Sequence, residues 1–185
     1  VVLSGEGADE LFGGYLRYRL ERFAMLLKYF SAPLLVRIME KIAGKFPHTL
    51  RMRKALRAMQ EKSDAERHIL WASVFPPEQI QKLLRSDEPF FEKLLSKFSG
   101  FFAQCPDHFN NLLSADFSTW LADDLLVKVD RMSMAHSLEA RVPYLDHRLV
   151  QMVFALPGKW KIGFFSGKKI FKKVGQGLIP GSIIE

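Results

Sequence analysis

The sequence predicts an α/β fold to which this chain contributes a predominantly α-helical part and one N-terminal strand. Three observations predict it. Val1, Val2 and Leu3 form an apolar run that stops at Ser4-Gly5-Glu6-Gly7, the pattern of a buried strand running into a glycine-rich turn. Beyond residue 16, apolar residues recur mostly at helical rather than alternating spacing. A single strand cannot make a parallel sheet, so its partners are expected in sequence that precedes Val1.

The elements follow in order. Ala8-Asp9-Glu10-Leu11-Phe12 reads as a short helical turn with its acids where the helix dipole favours them. Gly5 and Gly7 would let a ligand approach the backbone, and Glu6 and Asp9 would project into the crevice past the strand end. From Arg17 to about Lys45 two helices are predicted. Leu20, Phe23, Leu27 and Phe30 stripe the first. Leu34, Leu35, Ile38, Met39 and Ile42 stripe the second, with Pro33 in its first turn and Gly44 as its stop. Arg51, Arg53, Lys54 and Arg57 form a basic cluster that is either a phosphate contact or a solvated helix face. Ser63 and Glu66 make a capping-box pair ahead of Ile69-Leu70-Trp71. Pro76-Pro77 closes that helix and opens another through Ile80, Leu83 and Leu84. The Phe-rich run from Phe90 to Phe102 is expected to pack a core or dock on a neighbouring element. Cys105-Pro106 and Asn110-Asn111 read as loops.

Leu113, Phe117, Trp120 and Leu121 have helical spacing. Asp116, Asp123 and Asp130 are seven residues apart, which on one continuous α-helix puts them near one stripe. Two turns separate neighbours by about 10 Å, too far for one ion, so no metal site is assigned. Hydrogen bonding and ion pairing, with Arg131 or Arg141 as partners, is the expected role, and Asp124 and Lys128 make a favourable i,i+4 pair. His136 is either an acid–base group or an ordinary structural histidine. Arg141-Val142-Pro143 is extended, and Asp146 caps a helix through Leu149, Val150, Val153 and Phe154 that ends at Pro157-Gly158. Trp160 and Ile162 read as a short extended piece. Ser166 is expected to cap a helix starting at Gly167, with Lys168 in its first turn. A lysine there opposes the helix dipole and suits a docked anion; alternatively Lys168, Lys169, Lys172 and Lys173 form a solvated basic face.

Composition sets the class. A chain of 185 residues, 48% hydrophobic, with 16 Phe, can bury a core. The net charge of +7 is mixed along the chain, and no nucleic-acid motif accompanies it, so nucleic acid is not expected as a partner. One cysteine, Cys105, excludes an internal disulfide and fits a reducing, cytoplasmic setting. No apolar stretch is long enough to span a membrane.

Two stretches, VVLSGEGADELFGGY and ADDLLVKVDRMSMAHSLEARVPYLDHRLV, resemble the synthetase domain of glutamine-dependent asparagine synthetases, and in that family's order. The resemblance implies the C-terminal portion of one ATP-pyrophosphatase-type, adenine nucleotide alpha hydrolase-like domain spanning residues 1–185. The upstream sheet with its S-G-G-x-D-S loop and the N-terminal glutaminase domain would lie outside it, and the fragment alone is expected to be inactive. It implies ATP-driven conversion of aspartate to an aspartyl-adenylate, then to asparagine with ammonia from glutamine. ATP and Mg2+ would be the cofactors, although no magnesium site is identifiable in these residues. The resemblance implies that Ser4, Gly5 and Glu6 line the adenylate site, that Glu6 accepts a proton from ammonia, and that Asp9 holds the aspartate or adenylate. Lys168, with Lys169 as the alternative, would stabilise the departing pyrophosphate. The other readings are a related amidotransferase acting on another carboxylate and a non-catalytic helical interaction module.

Overall fold

The structure, a computed structural model, describes residues 1–29, 57–61, 63–75, 77–84 and 89–184. The helix read over Leu34 to Ile42 between Pro33 and Gly44, with Phe30, Arg51, Arg53, Lys54 and Pro76, lies outside the described residues. The chain divides into two compact units, Val1–Arg19 with Cys105–Glu185 and Leu20–Gln104.

In the first unit, β1 (Val2–Leu3) pairs in parallel with a second strand, β2 (Ala140–Arg141). Val2 lies opposite Ala140 and Leu3 opposite Arg141, with N–H bonds from Val2 to the Glu139 carbonyl and from Ser4 to the Arg141 carbonyl, both 2.8 Å. The predicted lone strand thus has a partner within this chain, formed by the stretch that Pro143 keeps extended. The buried character expected of it is not found: Val2 and Leu3 are exposed, because a two-strand ribbon leaves both faces uncovered.

The turn after β1 leads into α1 (Ala8–Phe12), bounded by left-handed glycines, Gly7 at φ 86° and Gly13 at φ 74°. Five residues are too few to hold a helix alone. Packing holds it: Leu11 and Phe12 join Val153 in a core surrounded by Phe117, Tyr144, Leu149, Val150, Phe154, Ile170 and Phe171. Phe12 stacks on Phe171 at 4.8 Å.

The later elements of the first unit frame this core. In α6 (His108–Asp116), Asp107 caps the start by accepting from the Phe109 and Asn110 N–H groups. A second oxygen of Asp107 accepts from Gly158 N–H at 2.8 Å, so one carboxylate caps two helix starts. Asn110 and Asn111 lie inside α6, not in the predicted loop. Asn110 donates to the Phe154 and Leu156 carbonyls, and Asn111 exchanges bonds with the Cys105 backbone, so tertiary bonds offset their turn preference. Here α6 passes into a π-helical segment (Phe117–Leu125) and then α7 (Leu126–Met134). Its wider turns break the seven-residue stripe: Asp116 is buried, while Asp123 and Asp130 are exposed. Among the described residues Asp124 and Lys128 make no ion pair, since four residues no longer complete one turn there.

As predicted, Asp146 caps α8 (His147–Ala155), accepting from Arg148 N–H at 2.9 Å. Trp160 lies in α9 (Gly158–Lys161), a single helical turn rather than an extended piece; Asp107 fixes its first N–H. Ile162, which follows, is extended and fully buried. Next, α10 (Lys169–Gly175) starts two residues later than expected, without a Ser166 cap; the Ser166 hydroxyl donates to the Gly167 carbonyl instead. The chain ends in the short α11 (Gly181–Ile184).

In order along the chain, the second unit takes in α2 (Leu16–Tyr29), whose first residues belong to the first unit, then α3 (Asp64–Ala72), α4 (Pro77–Leu84) and α5 (Phe90–Phe102). Ser63 caps α3, its hydroxyl accepting from Glu66 N–H. Arg67 is buried in a charge-paired fork with Glu21 and Asp64, and its guanidinium also donates to the Glu61 carbonyl. His68 packs its ring against Phe98 at 4.9 Å, which places the Phe-rich helix in the core of this unit. No helix among the described residues is long and apolar enough to cross a membrane.

Candidate active site

The turn after β1 brings Ser4, Gly5, Glu6 and Asp9 to one end of the short parallel ribbon. Beyond the strands, backbone polar groups turn outward to a ligand. Ser4 is fixed by its N–H bond to Arg141. A Cβ placed on Gly5 would meet nothing within 4 Å, so the backbone here stands open to a ligand. Glu6 is half-buried and makes no hydrogen bond or ion pair among the described residues. Gly7 differs: a side chain there would strike Leu145 at 2.4 Å, so the left-handed turn is also sterically reserved for glycine.

Lys168 reaches this turn from the far end of the sequence. Its ammonium lies 2.8 Å from Asp9 Oδ1. The approach is prepared by close backbone packing. A Cβ on Gly167 would lie 2.4 Å from the Gly13 carbonyl oxygen, and Lys168 N–H donates to the Phe12 carbonyl at 3.1 Å. Lys168 holds φ 52°, ψ 33°, a left-handed conformation costing a non-glycine residue about 1–2 kcal/mol. Because Lys168 stands before the helix and its N–H is taken by Phe12, the first-turn placement inferred from sequence is corrected. Lys169, the alternative, points its amine to the Lys159 carbonyl at 3.3 Å. His136 is exposed, with Nδ1 3.0 Å from the Met132 carbonyl oxygen, a local contact within its own helix end.

Behind Asp9 stands a polar network that sequence reasoning missed. Glu10 is buried and accepts from the Tyr15 hydroxyl at 2.6 Å; burial raises its pKa above the usual carboxylate value. Burial, together with Glu10, raises that of Tyr15. Arg17 lies among the rings of Tyr15, Tyr18 and Trp120, at 5.0, 5.5 and 5.6 Å, and pairs with Asp116 at 2.8 Å. Tyr18 donates to the same Asp116 oxygen at 2.6 Å. Arg17 and Tyr18 therefore take the role expected of Arg131 or Arg141 toward Asp116, while Arg141 pairs with Glu139. The network braces the helix carrying the acids against the start of the π-helical segment. The alternation of aromatic and basic residues in Tyr15-Leu16-Arg17-Tyr18 was its one visible sign.

A second buried cation also escaped the sequence. Lys161 is fully buried and donates to the Val153 carbonyl at 2.8 Å, with its amine 5.2 Å from the Phe154 ring centre. Burial lowers its pKa from 10.5 to about 8, against the opposing pull of Asp107 and Cys105.

The site can therefore present a carboxylate unpaired among the described residues, an open backbone and a fixed ammonium to one ligand. That set suits a substrate with an anionic leaving group and an amine nucleophile. Among the described residues, these acids do not gather into a Mg2+ cage. Asp9 is taken by Lys168 and Asp116 by Tyr18 and Arg17, while Asp123 and Asp130 face solvent.

Comparison with known proteins identifies the group to which the chain is related. The family model described as asparagine synthase matches residues 1–185. A Mycobacterium bovis protein provisionally named asparagine synthetase (glutamine-hydrolyzing) is 32% identical over 190 residues, covering 100% of this chain and 28% of that protein. Bacillus subtilis asparagine synthetase (glutamine-hydrolyzing) 1 is 31% identical over 194 residues, covering 100% of this chain and 29% of that protein. The chain thus spans under a third of the length of the curated relatives it matches. No solved structure matches it significantly. With the whole of its length matched, the chain belongs to the asparagine synthase family.

Proposed function

We propose that this chain is the C-terminal part of the synthetase domain of a cytoplasmic, ATP-dependent enzyme. The domain is of the adenine nucleotide alpha hydrolase type, and the enzyme converts aspartate to asparagine. ATP activates the side-chain carboxylate as an aspartyl-adenylate with release of pyrophosphate, and ammonia from glutamine then displaces AMP. The glutamine-hydrolysing part and the remaining nucleotide-binding sheet belong to the rest of the protein. Mg2+ would accompany the ATP phosphates; no step here is routed through it.

The observation that carries this reading, within the family, is the meeting of Lys168 with the turn that holds Glu6 and Asp9. Ser4 and Gly5 line the adenylate, Gly5 because its open backbone admits a ligand. Lys168 offers an ammonium to the charge that develops on pyrophosphate as it leaves. Glu6, an acid without a partner among the described residues, takes the proton from ammonia as the amide forms. These roles divide the reaction between two residues, and so can be tested apart. In the full-length protein, Glu6→Gln is expected to keep aspartate-dependent exchange of pyrophosphate into ATP. Its asparagine formation is expected to fall by ~10²-fold, the usual worth of a positioned base. Asparagine formation by Glu6→Gln at the unaltered rate refutes the assignment. Absence of aspartate-dependent exchange in the unaltered protein refutes the reaction.

A further inference from the structure

We propose that Asp9 is a positioning residue for Lys168, rather than the group that holds the substrate amino acid. The inference deepens the proposed function and rests on it for its kinetic arm only.

Lysine is a poor preorganised cation by itself, since its charge sits on a flexible four-carbon stem. Here the fold fixes the stem at each level. The backbone is held left-handed at φ 52° and tied by its N–H to Phe12. Gly167 lets that backbone lie against Gly13, where a side chain would be 2.4 Å from the Gly13 carbonyl oxygen. The ammonium ends on Asp9 at 2.8 Å. Gly14 completes the arrangement: a Cβ on it would sit 1.6 Å from Asp9 Oδ1 and 2.5 Å from Lys168 Cε. Gly14 has no positive φ, so its lack of a side chain is explained by the room the ion pair needs and not by its backbone. Asp9 is itself set by α1, whose end is closed by the Gly13 and Gly14 N–H groups, both bonding to the Asp9 carbonyl oxygen. Two glycines, one strained lysine and one carboxylate thus combine to place a single ammonium.

Gly14→Ala tests this without altering a charge, because the new methyl group must push the Asp9 carboxylate off Lys168. Asp9→Asn tests it by the opposite route, keeping the shape and removing the charge. Both are made in the full-length protein and compared in two assays. In the first, lysine reactivity toward acetic anhydride is measured residue by residue by mass spectrometry. Both variants are expected to raise Lys168 labelling several-fold, with Lys169, Lys172 and Lys173 as internal controls at their original rates. In the second, aspartate-dependent pyrophosphate release is measured. Both are expected to lower kcat about tenfold or more, since a charge misplaced by an ångström can cost up to about 10²-fold, and to leave KM for aspartate within about twofold. Unchanged Lys168 labelling in both variants overturns the proposal. A raised KM for aspartate in Asp9→Asn, with normal kcat in Gly14→Ala, also overturns it, because Asp9 then holds the substrate. If the unaltered protein releases no pyrophosphate, the proposed reaction fails, and labelling still decides whether Asp9 places Lys168.

Discussion

Replacing Lys161 with methionine should change how stability depends on pH, and the structure fixes both sign and size. The amine is fully buried and bonded to one carbonyl, so burial disfavours its charged form and its pKa falls from 10.5 to about 8. Between those values the folded chain binds fewer protons at Lys161 than the unfolded chain. Stability gained from this group therefore rises with pH, and is lost as pH falls through 8. A tenfold change in proton affinity is worth about 1.4 kcal/mol, and integration of the two titrations from pH 8 to pH 10 gives a gain of ~2 kcal/mol. The gain levels off above the ordinary lysine value of 10.5, where the unfolded chain also loses the proton, so pH 10 takes in most of it. Urea unfolding of the original chain and of Lys161→Met at pH 8 and pH 10, followed by circular dichroism, isolates the lysine, since every other group cancels. The original chain should gain ~2 kcal/mol on the variant between the two pH values. Parallel pH profiles for the two proteins would refute the claim that folding strips water from this amine.

Two substitutions test the packing around the site. Asp116→Asn leaves Arg17 among three rings without its counter-charge and should destabilise by about 3 kcal/mol in the same unfolding assay, whereas Asp123→Asn, in solvent, should stay within about 0.5. Equal effects would restore the single stripe that the seven-residue spacing suggests. Gly13→Ala forces a left-handed residue to carry a methyl group 2.3 Å from Ile162 Cγ1, and a loss of about 2–5 kcal/mol is expected; a loss under about 1 would show that Ile162 has room to move.

Local rules read much of this chain correctly because many of its helix ends are set by neighbouring residues. Asp146 and Ser63 cap where their spacing from the next backbone N–H groups says they should. Acids open α1 and glycines bound it, as its sequence indicates. What local rules missed depends on distant groups. Asn110 is helical because the carbonyls at the end of α8 accept its amide. Trp160 turns because Asp107 reaches back to Gly158. No residue type announces the π-helical segment, so the phase of Asp123 relative to Asp116 could not be read from spacing. In the site, the residue types were legible on their own at Glu6 and Asp9, but the meeting of Asp9 with Lys168 followed only from the family resemblance. The glycines that permit the contact, Gly14 and Gly167, become intelligible only once both loops are in place.

The parallel pairing of Val2 with Ala140 also orders events during synthesis. As the nascent chain leaves the ribosome, the acidic turn emerges well before the strand that anchors it, which is translated more than a hundred residues afterwards, and the lysine that faces it comes later still. The candidate site therefore has strongly non-local contacts as its scaffold, and such contacts form slowly. The residues of this turn wait for much later ones to give them their shape, and the exposed apolar Val2 and Leu3 must be kept from wrong partners until then.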